Sequence, residues 1–469
     1  MSTETPSLYA SWKKIYPRHQ PGFFRRLRWS VYAMELGIFL LLPLLRWERG
    51  PGLPDQAVLF DLPERKFYLF DIVVWPQEIF LLAFLLIAAA IGLFFMTALA
   101  GRVFCGYMCV QTVWTDLFLQ VERLFEGHHK QRLKLDRLPG GGRKWLVKLG
   151  KHGTWLLISA LTGWAFVAYF ADAPTLARQF LNGTAPHPAW FTLSFLTLTT
   201  YVMAGLAREQ VCIYMCPYAR FQGVMFDEDT MIVAYHPELG EPRESNRRTR
   251  TAPGSRVGLC IDCDSCVTVC PTGIDIRNGQ QYECITCGAC IDACDSVRQR
   301  LGFAPRLVRY TSLRELKGER TRWLRPRILV YALLLTVFLG GILLFLLRHS
   351  PLEMTVIGHR QPLYIMQSDG SIQNNFTLRV LNMTEKQQTY SLRVTGLNGA
   401  SLTMAAIDTR TPGGDPSFSV SPGSVNAFTV YLKQAREQVR PGKQEILFKL
   451  SARQPEGGSA AYTSVFMRP

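Results

Sequence analysis

Two consecutive cysteine runs of identical spacing constrain this chain more than any other feature: Cys260-x2-Cys263-x2-Cys266-x3-Cys270-Pro271 and Cys284-x2-Cys287-x2-Cys290-x3-Cys294. In the two-cluster ferredoxin arrangement, three closely spaced cysteines hold three irons of one cubane and the distant fourth serves the other cluster. The spacing therefore predicts one [4Fe–4S] cluster on Cys260, Cys263, Cys266 and Cys294, and a second on Cys284, Cys287, Cys290 and Cys270. Crossed ligation of this kind ties both halves into one compact module at about residues 255–300. Four-cysteine sets also suit zinc chemically, but two successive runs of this spacing favour the cubanes. Asp295 stands where a second proline would follow the second run, which predicts a less rigid turn and a more exposed cluster there.

The other four cysteines form two copies of Cys-x-Tyr-Met-Cys, at Cys105–Cys109 and Cys212–Cys216, 107 residues apart. Each copy follows an apolar stretch. Runs long enough to cross roughly 30 Å of hydrocarbon occur at Trp29–Leu45, Ile79–Ala100, Thr154–Phe170, Trp190–Ala207 and Ile328–Leu347. Trp29 and Trp47 bracket the first as interfacial aromatics would. Glu35 lies inside it and is expected to face other helices, with proton or ion handling as the functional alternative.

A hydrophobic share of 48% in a chain of net charge +16 fits apolar spans separated by basic loops. The basic residues gather in Lys13, Lys14, Arg18, Arg25, Arg26 and Arg28, in Arg102–Lys151 and in Arg208–Arg327, whereas Ala171–Ala189 contains only Arg178. The charge is a topology signal that places the N-terminus and these segments on the cytoplasmic side. No folded module or basic, aromatic-studded surface argues for nucleic-acid binding. A cleavable signal peptide is not expected, because the first apolar run begins only at Trp29 and lacks a small-residue cleavage site.

Five spans put the C-terminal part on the opposite side from the N-terminus. There, Phe376–Leu381, Tyr390–Val394, Ser417–Val420, Ala427–Leu432 and Glu445–Leu450 alternate apolar and polar residues, separated by turn clusters at Thr411–Asp415 and Ser421–Ser424. This texture predicts an immunoglobulin-like β-sandwich without the disulfide of antibody domains, since all twelve cysteines lie between Cys105 and Cys294. The expected fold is a multi-domain α+β membrane protein: a five-helix transmembrane bundle, an inserted dicluster ferredoxin domain and a C-terminal sandwich. Its divisions are a cytoplasmic N-terminal segment (1–28), helices 1–4 with interfacial helices (29–207), a cytoplasmic segment holding the ferredoxin (208–327), helix 5 (328–347) and a periplasmic domain (348–469).

Cysteines at i and i+4 put both thiols on one helix face. If each motif continues its apolar span inward, the sulfurs sit at the inner membrane boundary, marked by Arg102 and Arg208. Amphipathic stretches follow both, with Val113, Trp114, Leu117, Val121 and Leu124 in one case and Phe221, Val224, Met225 and Phe226 in the other. The two hairpins read as a parallel internal repeat. An isolated C-x3-C is commonly a packing feature, but repetition favours a metal or redox role, and soft thiolates select Cu(I), zinc or iron–sulfur centres. Met108 and Met215 are expected to pack. His128, His129 and His152 leave a haem open without a spacing that argues for one.

The strings VLFDLPERKFYLF, GRVFCGYMCVQTVWTD, QVCIYMCPYARFQGVMFD and CPTGIDIRNGQQYECITCGACIDACD resemble the cytochrome c oxidase accessory proteins of the CcoG/FixG/RdxA kind over nearly the whole chain. The resemblance implies a multi-pass protein of the bacterial inner membrane that reduces Cu(II) to Cu(I) for assembly of cbb3-type oxidases. It also implies an oxidoreductase, a cupric reductase, in which Cys105, Cys109, Cys212 and Cys216 bind or meet copper and two [4Fe–4S] clusters feed electrons to it. Partners implied are the membrane, copper ions and oxidase subunits or a copper chaperone; the electron donor has no motif, and a homodimer is compatible with the sequence. The departure is Val110 where the family's first motif usually has proline, as the second does at Pro217, which predicts a helix continuing through Val110 and two unequal sites. The rival reading is a quinol-linked electron-transfer subunit of a respiratory chain, with the same clusters and no copper.

Overall fold

The computed structural model describes residues 14–49, 53–244, 257–348, 350–384, 386–405, 415–435, 442–454 and 457–469. Lys13, the turn residues 411–414 and the first two residues of the expected ferredoxin range lie outside the described residues. The chain divides into two compact units, Met1–Gly340 and Gly341–Pro469.

In the first unit, helices follow the apolar runs. They are α1 (Phe23–Leu41), α2 (Phe80–Ala100), α3 (Val103–Tyr107), α4 (Val110–Glu126), α5 (His129–Arg137), α6 (Gly142–Val167), α7 (Ala173–Leu181), α8 (His187–Thr200) and α9 (Pro217–Met225), followed later by the long helix Pro326–Arg348. Among the described residues, four helical stretches are both long and apolar enough to cross a membrane: Phe23–Leu44, Phe80–Ala100, His187–Ala207 and Pro326–Arg348. The expected span Thr154–Phe170 lies mostly within α6, which has 26 residues but carries Arg143, Lys144, Lys148 and Lys151 in its first half. It meets the length requirement and misses the composition. Glu35 is half-buried and has no hydrogen-bond or ion-pair partner among the described residues.

Close backbone approach explains two glycines on the helix contacts. A Cβ at Gly163 of α6 would come within 2.9 Å of the Leu193 carbonyl oxygen on α8, and one at Gly205 within 2.9 Å of the Trp155 ring. Trp155 stacks on Phe118 of α4 at 5.2 Å, so α6 packs between α4 and the α8 hairpin. Behind this layer Glu122, buried on α4, binds Arg132 (3.0 Å), Lys151 (3.4 Å) and Arg208 (2.5 Å), linking α5, α6 and the end of the α8 hairpin through one carboxylate.

Two small sheets were invisible to apolar periodicity. β1 (Val58–Asp61), β2 (Lys66–Leu69) and β3 (Ile72–Val74) form an antiparallel meander between α1 and α2. β4 (Ile232–Tyr235) pairs antiparallel with β5 (Val308–Thr311), closing the cysteine-rich module between them.

The second unit is a two-layer β-sandwich. Its strands are β6 (Leu352–Gly358), β7 (Ile365–Met366), β8 (Ile372–Asn382), β9 (Gln388–Thr395), β10 (Ala400–Met404), β11 (Ser417–Val420), β12 (Val425–Gln434), β13 (Lys443–Ala452) and β14 (Ser459–Met467). One sheet has the order β10-β12-β8-β6 with β7 on β8, and the other β11-β9-β13-β14. Alternate residues such as Phe376, Leu378 and Val380 of β8 and Ile446, Phe448 and Leu450 of β13 point into the shared core, as the period of two requires.

Candidate metal centre

The two Cys-x-Tyr-Met-Cys motifs share their turning points at the offset of 107, although Val103–Tyr107 is α-helical and Val211–Met215 π-helical. The preceding helix is stopped by a positive φ, at Gly101 (φ 59, ψ −128) and at its counterpart Arg208 (φ 47, ψ −118). Arg208 is not glycine, so this conformation costs energy that the surrounding ion pair and packing must offset. In each motif the second cysteine donates its backbone N–H five residues back, Cys109 to Phe104 (3.0 Å) and Cys216 to Val211 (2.8 Å). Each is then an extended N-cap residue, Cys109 (φ −73, ψ 125) for α4 and Cys216 (φ −80, ψ 110) for α9. Tyr201–Ala207 and Val211–Met215 adopt the wide π-helical turn, a form that recurs at functional sites.

This geometry corrects two expectations. The thiols of a motif do not share a helix face, because the second lies beyond the helix end. The chain also breaks at Cys109 despite Val110, since the wide turn and the extended cap stop the helix before any proline is needed. Met108 and Met215 are exposed rather than packed, and α9 buries Ala219 and Gln222 while exposing Phe221 and Val224.

The two motifs converge. The charges of Cys109, Cys105 and Cys216 all act on Cys212, whose thiol burial and these neighbours push up to about 12. Burial also raises the Cys105 thiol, against the opposing pull of Arg102. Gln222 of α9, which carries no sequence signal beyond its place in an amphipathic stretch, bridges the repeats. Its Oε1 accepts from the Cys105 thiol (3.2 Å) and from Arg102 Nε (3.1 Å), and its amide donates to Thr97 Oγ1 of α2 (3.3 Å).

The eight ferredoxin cysteines surround two narrow cavities. Cys260, Cys263, Cys266 and Cys294 line one, with Tyr235 of β4 and Val308 of β5. Cys270, Cys284, Cys287 and Cys290 line the other, together with Cys266. Burial pushes the Cys266 thiol up to about 11 and those of Cys284 and Cys294 up to about 12, so as bare thiolates these sets are poorly stabilised and need a cationic group among them. All twelve cysteines are free of disulfides. Among the described residues no three His, Cys, Asp or Glu side chains converge on one ion-sized point; the sets enclose space instead. This donor chemistry, sulfur only and arranged around a void, fits a cubane. The second run is also the more covered one, against expectation: Cys287 is buried and Cys263 exposed. The helix Ala289–Arg300 runs straight through Asp295, whose carboxylate accepts from the Arg306 N–H (2.8 Å), and Phe24 of α1 covers Gly288.

The module docks on the first motif and on α1. At Gly106 a Cβ would sit 2.6 Å from the Ile285 carbonyl oxygen and 3.1 Å from Cys287 Cα, so only glycine admits this approach, whereas Ile213 occupies the equivalent place in the second motif. Cys105 packs with Ile285 and Cys287 in one buried cluster. Tyr107 donates to the Cys287 carbonyl (3.4 Å), and Arg28 Nε and Tyr32 Oη of α1 both donate to the Gly106 carbonyl (3.1 Å each). Asp292, between Cys290 and Cys294, caps α1: its carboxylate accepts from the backbone N–H groups of Phe24 (3.2 Å) and Arg25 (2.9 Å). The three histidines are not brought together. His152 bonds Tyr201 (2.8 Å), whereas His128 and His129 line a separate cavity.

Three family models match. A 4Fe-4S binding domain covers residues 82–128, a 4Fe-4S dicluster domain covers residues 207–313, and the IG-like fold at the C-terminal of FixG, described as a putative oxidoreductase, covers residues 342–469. The nitrogen fixation protein FixG of Rhizobium meliloti is 42% identical over 457 residues, 91% of this chain and 87% of the relative. Protein RdxA of Cereibacter sphaeroides is 47% identical over 401 residues, 84% of each chain. A crystal structure of a FixG-related protein from Vibrio parahaemolyticus aligns with 26% of this chain and 98% of its own at 25% identity and a TM-score of 0.22. The chain thus carries apolar membrane helices, 4Fe–4S domains and an immunoglobulin-like C-terminal domain, and it belongs to the FixG/RdxA family of membrane iron–sulfur electron-transfer proteins.

Proposed function

We propose that this protein is a membrane-anchored cupric reductase serving the assembly of cbb3-type cytochrome c oxidase. Cys260, Cys263, Cys266 and Cys294 would hold one [4Fe–4S] cluster and Cys284, Cys287, Cys290 and Cys270 the second; such clusters supply single electrons. Cu(II) is the substrate, met by Cys105, Cys109, Cys212 and Cys216, and one electron converts it to Cu(I). The observation that carries this reading is the contact of the two centres: Gly106 lets the first thiol motif lie directly against Cys287 and Ile285. The chain's own residues hold that contact, with Arg28 and Tyr32 fixing the Gly106 carbonyl and Gln222 orienting the Cys105 thiol. A sulfur-rich site also retains the product, because Cu(I) prefers thiolates whereas Cu(II) prefers nitrogen and oxygen donors.

In this reading five helices cross the membrane, α6 being the fifth, with the N-terminus and ferredoxin module cytoplasmic. The sandwich is then periplasmic and docks the oxidase or a copper chaperone. The test is Cu(II) reduction by anaerobically purified protein with metals counted on the same sample. Iron near eight per chain is expected from two cubanes, and Cys105→Ala with Cys109→Ala should abolish copper reduction while both cluster signals persist. Reduction at an unchanged rate in that variant would overturn the assignment.

A second reading of the four thiols is favoured by one observation: the 4Fe-4S binding domain matched at residues 82–128 contains only Cys105 and Cys109, so a cubane there would need Cys212 and Cys216 as its other half. Iron near twelve per chain, falling by about four in the double variant, would select it.

A further inference from the structure

Next to both centres lies a cavity of about 500 Å³, a size that takes a small organic ligand. Its wall includes Cys212 of the second thiol motif and Cys287 of the ferredoxin module, with Pro271 and Thr272, which follow Cys270. The rest is mainly cationic, with Asp116 and the half-buried Glu209 as its acidic residues. Arg18 of the N-terminal segment, Arg123 in the last turn of α4 and Lys130 of α5 line it without a carboxylate partner among the described residues. Asp116, the nearest buried acid, is already engaged by Arg25 (2.7 Å) and Arg28 (3.5 Å). Arg132 is buried in the same wall, and its Nε has no hydrogen-bond partner. His19 shares the field: burial, then Arg123 and Arg25, bring its imidazole down to about 4, so it stays neutral and adds no positive charge.

Unpaired guanidinium and ammonium groups around a concavity select an anion, and guanidinium suits phosphate above other groups. Cysteines of two redox centres in the wall select an anion that exchanges electrons. Nicotinamides give up a hydride, two electrons together, whereas a reduced flavin gives its two electrons singly and its two protons to water, matching centres that accept one at a time. The volume suits a mononucleotide better than a dinucleotide. We propose that this cavity binds a phosphate-bearing flavin of the flavin mononucleotide class, which donates electrons at Cys287; this rests on the reading above only in that electrons enter through the ferredoxin module.

The test uses the full chain, cluster-loaded and solubilised without copper, with flavin fluorescence as the readout. Flavin mononucleotide should bind saturably at one site, and riboflavin, lacking the phosphate, at least about tenfold more weakly. Arg123→Gln with Lys130→Gln should weaken the nucleotide by a similar factor, and Leu119→Trp, which fills the cavity, should block it while cluster absorbance reports an intact fold. Equal binding of riboflavin, indifference to both variants, or no binding at all would overturn the proposal. Nucleotide binding retained in the Cys105→Ala, Cys109→Ala chain supports it. Binding by a chain that reduces no copper also supports it and removes only the copper reading.

Discussion

Gly106→Ala is the sharpest test of the contact between the thiol motif and the ferredoxin module. The added methyl would meet the Ile285 carbonyl oxygen at 2.6 Å and the Cys287 backbone at 3.1–3.2 Å. Backbone cannot rotate out of the way, so the loop must retreat by about 0.8 Å to reach the ordinary contact distance of 3.4 Å. Overpacking of this kind costs about 1–3 kcal/mol. The matched control is Ile213→Ala, at the equivalent position of the second motif, where the side chain is half-buried and the ferredoxin module meets the backbone through the Tyr282 hydroxyl, which donates to the Ile213 carbonyl and is kept by the substitution. Chaotrope-driven loss of cluster absorbance measures the cost as a shifted midpoint at unchanged slope. We expect Gly106→Ala to bleach earlier and to slow Cu(II) reduction with its iron content intact, and Ile213→Ala to do neither. A Gly106→Ala protein with wild-type midpoint and wild-type reduction rate would refute the claim that electrons pass between the centres at this contact.

Asp292→Ala should remove the cap of α1 at a cost of about 0.5–2 kcal/mol, seen as faster hydrogen exchange at Phe24 and Arg25. Glu122→Gln should cost about 3–5 kcal/mol, because it leaves Arg132 and Arg208 buried without their counter-charge, whereas Lys151 keeps Glu126 at 2.9 Å. Burial acts to raise the Glu122 carboxyl, but Arg208, Lys151 and Arg132 outweigh it and hold it below the ordinary glutamate value of 4.5. Its stabilisation is therefore complete above that value and is lost as pH falls through the lowered one, so the variant's stability should vary less with pH on the acid side. A topology reporter placed after Arg348 should be active only in the periplasm and reporters within Arg208–Arg327 only in the cytoplasm; both on one side would remove a span, α6 first.

The cysteine spacing predicted two groups of four thiols, and the structure sets the eight around two cavities, with Cys266 on the wall of both. The sandwich was legible too, since strands buried on one face must alternate. The repeat of 107 residues announced two like hairpins, but their shape was not readable from Val110 and Pro217. The break at Cys109 and Cys216 is made by a wide turn and an extended cap, and the helix before each motif is stopped by a positive φ, one of whose two carriers is Arg208, a residue with no intrinsic taste for that conformation. The β4–β5 pairing joins segments on either side of the whole cysteine module, and Gln222 matters through what lies opposite it. Neither fact is local. The expected third span is not among the helices apolar enough to cross a membrane, because α6 begins among lysines that serve the ion-pair cluster around Glu122 and Glu126.

The carboxylate that caps α1 comes from 268 residues further along the chain. During synthesis at about 5–20 residues per second, the start of α1 therefore waits roughly a quarter of a minute to a minute before Asp292 exists. Until then its first amides face solvent or headgroups, and the first hairpin is a provisional insertion. The helix that delivers Asp292 also carries Cys290 and Cys294, so the folding of the cysteine-rich module is also the step that anchors the start of α1. A chain whose later segments have not yet docked would keep its earliest helix unanchored, and the segment before that helix would stay open to proteases.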